Sequence, residues 1–398
     1  MKKFMFFGVT VLFMIFAFAG CSNPSGGGDD NVTPVATVTG IPDTKWYDNA
    51  PSSTTNYTIT NPDQLAGLAQ LVNGGNTFSG KTITLGANMD LTKYGSTSNS
   101  GKGWIPIGTL SYLCFSGTFD GNNKTITGLY INRPDEDYIA LFGYVTNATI
   151  ENLEVRCQAV TGANTYGYNY VAVLAGVASN TIIRYCHVTG PVNGRGALGG
   201  LVGSAGGGSS ISYCCAECNL TVATGGAQAG ALVGLVGGST ISNCYATGDV
   251  NSDGSYIGGL AGSASGSTIS NCYVTGNVSG GKDYVGGLVG ITDSSNISNC
   301  AALNPAVTAT VTGYSSYRIA YNFSSTLTNN AAFSGMKVNG SATSSTDGSS
   351  MQGADISAAD IANDADGSIG GRFTTGWAIA KGKLPGFGTA VALPSWLQ

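Results

Sequence analysis

A chain of 398 residues with 61 glycines but no triplet glycine period is long enough for one extended repeat domain or several globular ones, and is not collagen. Charged residues make up only 10%, which excludes a charge-rich disordered chain. The formal charge is −5 and no basic run is present, so a nucleic-acid partner is not expected. In chain order, Lys2 and Lys3 precede an apolar stretch from Phe4 to Phe18, then small Ala19 and Gly20 before Cys21. That is the layout of an export signal over 1–20, with an apolar centre short for a membrane span. The Gly/Ser/Asp-rich run that follows, 21–45, reads as a flexible tether.

The segment 46–116 reads as an N-terminal cap. Asn61 suits a helix N-cap, Pro62 suits the first helical position, and Leu65, Leu68, Ala69 and Val72 fall on one helical stripe. A short amphipathic helix there would cover an otherwise open sheet edge.

From 117 to 340 the chain repeats. "STISNCYATGDV" (Ser239 to Val250) returns as "STISNCYVTGNV" (Ser267 to Val278), 28 residues later with ten of twelve positions identical. Cys186, Cys214, Cys244, Cys272 and Cys300 follow one another at 28, 30, 28 and 28 residues, and Gly-Gly-Leu-type pentapeptides at Gly199, Gly230, Gly258 and Gly286 keep similar time. Short β-type runs separated by Gly, Asn and Ser turns, with no helical period, predict stacked units forming parallel sheets. The fold class is therefore all-β, a parallel β-helix or β-solenoid of about 28-residue coils. The remaining segment, 341–398, reads as a C-terminal cap in which Trp377, Leu384, Phe387 and Trp396 seal the other end.

Alternation within a coil assigns the faces. Cys244, Ala246, Gly248 and Val250 share one parity with Cys272, Val274, Gly276 and Val278, and should face inward. Tyr245, Thr247, Tyr273 and Thr275 take the outward parity. Ile241 and Ile269 join the inward set only if the chain bends at the intervening Ser-Asn, which would stack Asn243, Asn271 and Asn299 as a corner ladder.

Two resemblances follow from these residues. Cys21 after Ala-Gly resembles a bacterial lipobox, which implies lipidation of Cys21 and anchorage at the outer membrane, exposed on the cell surface. The "GGLVG…TISNC" pattern, with the upstream "WIPIG" and "FSGTFDGNNKTITGLYI", resembles the GLUG-repeat family of bacterial exported proteins. That resemblance implies a right-handed β-helix displayed on the surface and acting in adhesion.

Candidate chemistry is sparse. His187 is the one histidine and reads as an outward strand residue; Arg184 and Arg195 look isolated. Cys215 and Cys218 have a Cys-x-x-Cys spacing without a second pair, so the cysteine ladder reads as core thiols and no metal or other cofactor is expected. Binding rather than catalysis is expected. The candidate ligand surface is Tyr170, Tyr245, Thr247, Tyr256, Tyr273, Thr275 and Tyr284, outward positions recurring in register. An extracellular protein or glycan is the expected partner, with glycan capture or polysaccharide cleavage as the alternative.

Overall fold

The computed structural model describes residues 38–162, 169–223, 228–364 and 369–398. The expected lipidation site Cys21 lies outside them.

From Val202 to Gly286 each coil folds as five short strands, while the coils before it join some of these into longer ones such as Thr149–Gly162 and Ile182–Thr189. One coil runs through Val233–Gly237, Thr240–Ser242, Tyr245–Ala246, Val250–Ser252 and Ile257–Gly258. The next coil lies parallel beside it with Val233 opposite Ala261, Thr240 opposite Thr268, Tyr245 opposite Tyr273, Val250 opposite Val278 and Ile257 opposite Val285. About nine turns stack in this way, making a parallel β-solenoid. The 30-residue step from Cys214 to Cys244 is absorbed in turns, since Ser210–Ser212 stays in register with Thr240–Ser242. The parallel stack already begins at Asn56–Ile59, which pairs with Thr82–Leu85, inside the segment read as a cap.

Within that segment the helix Pro62–Asn73 forms with Asn61 as its N-cap, whose side chain accepts from the Gln64 amide. Leu65, Leu68, Ala69 and Val72 are buried, so the stripe seen in the sequence is the face laid on the core. Asp63 in the first turn accepts hydrogen bonds from the Thr39 and Gly40 amides and, at 2.7 Å, from the Tyr94 hydroxyl. This carboxylate thereby ties the incoming chain to the helix N-terminus, where the backbone dipole favours negative charge.

The corner two residues after each inward Ile, or Leu327 in the last coil, is a ladder of left-handed residues: Asn152, Tyr185, Tyr213, Asn243, Asn271, Asn299 and Asn329 all have φ between 51° and 54°. This is the bend that lets Ile241 and Cys244 both face inward. Asparagine tolerates the left-handed region better than other side chains, and its amide stacks along the ladder, from Asn329 Nδ2 to Asn299 Oδ1 at 2.7 Å and from Asn271 to Asn243 at 3.4 Å.

Directly after the corner come the cysteines. Cys186, Cys214, Cys244, Cys272 and Cys300 are buried free thiols pointing into the core. Each donates to the carbonyl two residues earlier: Arg184, Ser212, Ser242, Ser270 and Ser298, at 3.1–3.4 Å. A small side chain with a weak donor fits this position, where Val would leave the space filled but offer no donor. Burial pushes the Cys186, Cys244 and Cys272 thiols well above the ordinary range, so they stay protonated. At the next coil Asn330 takes over, donating to the Ile297 carbonyl at 2.9 Å and accepting from the Cys300 amide at 3.0 Å.

Glycine is obligatory where coils touch backbone to backbone. A Cβ on Gly276 would stand 1.9 Å from the Gly248 carbonyl oxygen, and one on Gly248 as close to that of Cys218. At the far end Arg318 occupies the column of Gly259 and Gly287, turning its fully buried guanidinium across the last coils. It pairs with Asp355 at 2.5 Å and donates to the carbonyls of Thr343 and Ala332.

Residues 341–356 of the segment read as a cap do lie at that end, with Ala354–Ile356 pairing with Ala331–Phe333 and the Met351 carbonyl accepting from the Ile319 amide, whereas the residues from Ser357 onward do not. They run back along the flank as a strap, and a second apolar cluster forms between strap and solenoid from Cys215, Tyr245, Tyr273, Ala301, Leu303, Phe373, Trp377, Leu384 and Phe387. Trp377 Nε1 donates to Asn243 at 3.3 Å, Trp396 Nε1 to the Leu303 carbonyl at 3.0 Å and Arg372 Nε to the Asn329 carbonyl at 3.0 Å.

Candidate functional site

The strap overturns part of the expected ligand surface. Tyr245 and Tyr273 do point away from the solenoid core, with rings stacked 5.0 Å apart at 3°, yet both are fully buried. Trp377 lies 6.2 and 5.8 Å from them, Phe387 lies 5.5 Å from Tyr245, and the Tyr273 hydroxyl donates to the Pro385 carbonyl at 2.7 Å. Thr275 is also buried and Thr247 half-buried. Parity fixed the direction of these side chains correctly; what covers them comes from more than a hundred residues away in sequence.

The remaining tyrosines stay half-exposed on another flank. Tyr138, Tyr170, Ala197, Gln228, Tyr256 and Tyr284 occupy one register along the seven-stranded sheet that ends in Ser316–Tyr317. Tyr138 stacks on Tyr170 at 5.8 Å and 4°, with Tyr144 edge-on to Tyr138 at 5.3 Å. Tyr256 stacks on Tyr284 at 5.1 Å and 13°, and Tyr321 and Tyr317 extend this distal group at 4.8 and 5.6 Å, both tilted by 55°. The structure thus brings Tyr256 and Tyr284 together, puts Tyr170 in a separate proximal group, and adds Tyr138, Tyr144, Tyr317 and Tyr321. Tyr144 and Tyr321 escape a repeat-based reading because they sit in the neighbouring sheet, where intervening coils carry Val177, Ser204, Leu235, Ser263 and Ile291, and Tyr317 because it stands in the column of Gly286.

Tyr256 and Tyr284 have φ of 62° and 63°. For a bulky side chain the left-handed region is an outlier that costs about 1–2 kcal/mol, and Gly or Asn would hold the same backbone more easily. Two consecutive coils keep the phenol ring there nonetheless.

The densest titratable group is on the strap-bearing face. His187 lies between Glu154 and Glu217 of the coils on either side, Nδ1 and Nε2 each 3.5 Å from a carboxylate oxygen. Arg156 Nε at 2.7 Å and the Thr125 hydroxyl at 2.8 Å also hold Glu154. Arg184, far from isolated, pairs with Glu151 on the adjacent coil at 2.6 Å. His187 is accordingly a cross-coil tie and not a solvated strand residue, its side chain only 15% exposed. The two carboxylates approach opposite ring nitrogens, so the three groups do not converge on one point. Among the described residues no group of three or more His, Cys, Asp or Glu side chains is placed to hold a metal ion. Cys215 and Cys218 belong to different clusters, one under the strap and one in the solenoid core, so their spacing does not bring them together.

Burial alone would raise Glu154, but hydrogen bonds from His187, Arg156 and Thr125 outweigh it and hold the carboxyl down at about 2. Burial would lower His187, and its two glutamates outweigh that and raise it. The Glu154 stabilisation is present above its unfolded value of about 4.5 and fades as pH falls toward 2. That of His187 is present in full below about 6.5 and is lost as pH rises through its raised folded value. Stability is therefore expected to peak between about pH 4.5 and 6.5. In His187→Gln the decline on the alkaline side should disappear, read from urea midpoints across pH; an unchanged profile would remove His187 from this role.

Comparison with known proteins bears on the coils. The family model described as the GLUG motif matches residues 225–251, 253–279 and 283–312. The chain carries GLUG motif repeats. It is similar to halomucin of Haloquadratum walsbyi, 33% identical over 37% of this chain, and to a "putative Gly-rich membrane protein" of Evansella cellulosilytica, 37% identical over 26% of this chain. The chain spans only 2% and 12% of the lengths of those relatives. Among solved structures, a "putative immunoglobulin A1 protease" from Bacteroides ovatus superimposes with a TM-score of 0.55 over 90% of this chain and 96% of that one, at 21% identity. The shared feature is the β-helical fold.

Proposed function

We propose that the GLUG repeats form a cell-surface scaffold that acts by binding, an adhesin-like protein held at the outer membrane by a lipid on Cys21. The observation that carries the binding reading is the distal tyrosine group: half-exposed rings stacked in register, two of them kept in a backbone conformation that disfavours them. The names of the relatives, a mucin and a membrane protein, support surface display, as does the lipobox-like Ala19-Gly20-Cys21. The ligand surface is then Tyr256, Tyr284, Tyr317 and Tyr321, with Tyr138, Tyr144 and Tyr170 as a second contact along the same flank.

The test is saturable binding of the full chain to immobilised extracellular-matrix proteins and a glycan panel, with bound glycans assayed for cleavage. Asn suits the left-handed φ, so Tyr256→Asn with Tyr284→Asn removes both rings without straining the corner. The double variant should weaken binding by about tenfold or more at an unchanged unfolding midpoint. Released sugar fragments, or full binding by the variant, would overturn the proposal. Mass spectrometry of the mature N-terminus tests the anchor: a diacylated Cys21 is expected, and an unmodified residue there would remove the lipid from the reading.

A further inference from the structure

We infer that the distal tyrosine group docks an arginine- or lysine-rich segment of a partner protein. The inference rests on the binding reading above and names its partner.

Ring geometry argues first. Tyr256 and Tyr284 come from adjacent coils and lie nearly parallel, 5.1 Å apart, so they stack along the solenoid axis. Their facing surfaces are used on each other, and the side of the solenoid receives ring edges. A sugar ring stacks on ring faces and a cation is drawn to those same faces, whereas a ring edge carries positive charge, so the Tyr256–Tyr284 stack by itself serves neither ligand. At the distal end the rings turn: Tyr321 is tilted by 55° against both Tyr284 and Tyr317, at 4.8 and 5.6 Å. A cation acts on a ring within roughly 6 Å of its centroid, and one seated over this tilted group reaches more than one ring.

Charge argues second and independently. Between Asn251 and Asn330 the carboxylates are Asp253, Asp283 and Asp293, and the only basic residues are Lys282 and Arg318. Arg318 is turned inward and paired with Asp355, which leaves the exposed Lys282, next to Asp283, as the one basic side chain of that stretch set against the three carboxylates. Asp283 directly precedes Tyr284, and Asp253 lies in the equivalent turn one coil earlier, where the Tyr256 amide donates to the Asp283 carbonyl. Asp293 is held by the hydroxyls of Ser324 at 2.6 Å and Ser294 at 3.1 Å, which orient the carboxylate without neutralising it. Beside it Phe323 is 72% exposed, and its amide donates to the Thr292 carbonyl. An exposed aromatic next to a carboxylate suits the apolar stem and charged head of Arg or Lys together. Guanidinium is the better fit of the two, since it is planar and weakly hydrated.

The experiment titrates labelled nine-residue oligo-arginine, oligo-lysine and oligo-glutamate peptides into the full chain at about 0.15 M salt, where unspecific long-range attraction is screened. Oligo-arginine should bind saturably and most tightly, and oligo-glutamate should not bind. Tyr284→Asn and Asp283→Asn should each weaken oligo-arginine by roughly three- to tenfold. Asp249→Asn, which removes a carboxylate from another face, should leave it unchanged. Equal losses in Asp283→Asn and Asp249→Asn with none in Tyr284→Asn would mean diffuse acidic attraction and overturn the site. No binding of either basic peptide would also overturn it. If the basic peptides fail while a matrix protein or glycan binds in a Tyr284-dependent way, the binding reading stands and the cationic partner falls; if nothing binds, both fall.

Discussion

Replacing Trp377 by alanine is expected to destabilise the strap by about 3–5 kcal/mol, the range for deleting a large buried aromatic. Trp377 packs on Phe387 at 4.6 Å, Phe373 at 5.2 Å, and both buried tyrosines, and it closes a hydrogen bond to the Asn243 corner. A solenoid of stacked coils need not unfold in one step, so the loss should appear as an early transition that leaves the coils folded. The measurement is nitration of Tyr245 and Tyr273, mapped by peptide analysis. Both should be protected in the parent chain and reactive in the variant, well below the main urea transition. Continued protection in the variant would mean that the strap is held by other contacts.

The second large effect is expected at the far end of the stack. Asp355→Ala should destabilise by about 3–5 kcal/mol, because it leaves the buried Arg318 guanidinium without its carboxylate. Adding Arg318→Met should restore most of that loss, since an apolar side chain of similar length needs no partner in the Gly259 and Gly287 column. Urea denaturation of the two variants decides it. If the double variant is no more stable than Asp355→Ala, the pairing is not what makes this end stable.

The solenoid was largely open to reading from the sequence because its determinants are local and repeated. The inward cysteines, the corner at Asn243, Asn271 and Asn299, and the helix cap at Asn61 each follow from a residue type and a short spacing. Each also recurs or carries its own hydrogen bond, so one coil checks the next. The strap was hidden for the opposite reason. Tyr273 and Pro385 are 112 residues apart, and nothing in the alternation of a strand says what will lie on its outer face. His187 misled in the same way. Its partners Glu154 and Glu217 come from the coils above and below, where the sequence shows no charge motif. The tyrosine flank was half visible: Tyr170, Tyr256 and Tyr284 share a register, whereas Tyr317 and Tyr321 break the repeat and join only in three dimensions.

The strap also acts as a ruler. It touches Tyr213 through Phe387, Asn243 through Trp377, Leu303 through Trp396 and Asn329 through Arg372, so one continuous piece of chain is matched to a fixed number of coils. Inserting or deleting a coil between Tyr213 and Asn329 would move those anchor points apart or together by a whole strand spacing, about 4.8 Å, and the strap could no longer reach all of them at once. Among the described residues, the strap's side-chain contacts named above reach no coil on the N-terminal side of Tyr213. The near-identical coils at Ser239–Val250 and Ser267–Val278 lie within the measured stretch, so a further copy there would need a strap lengthened to match it.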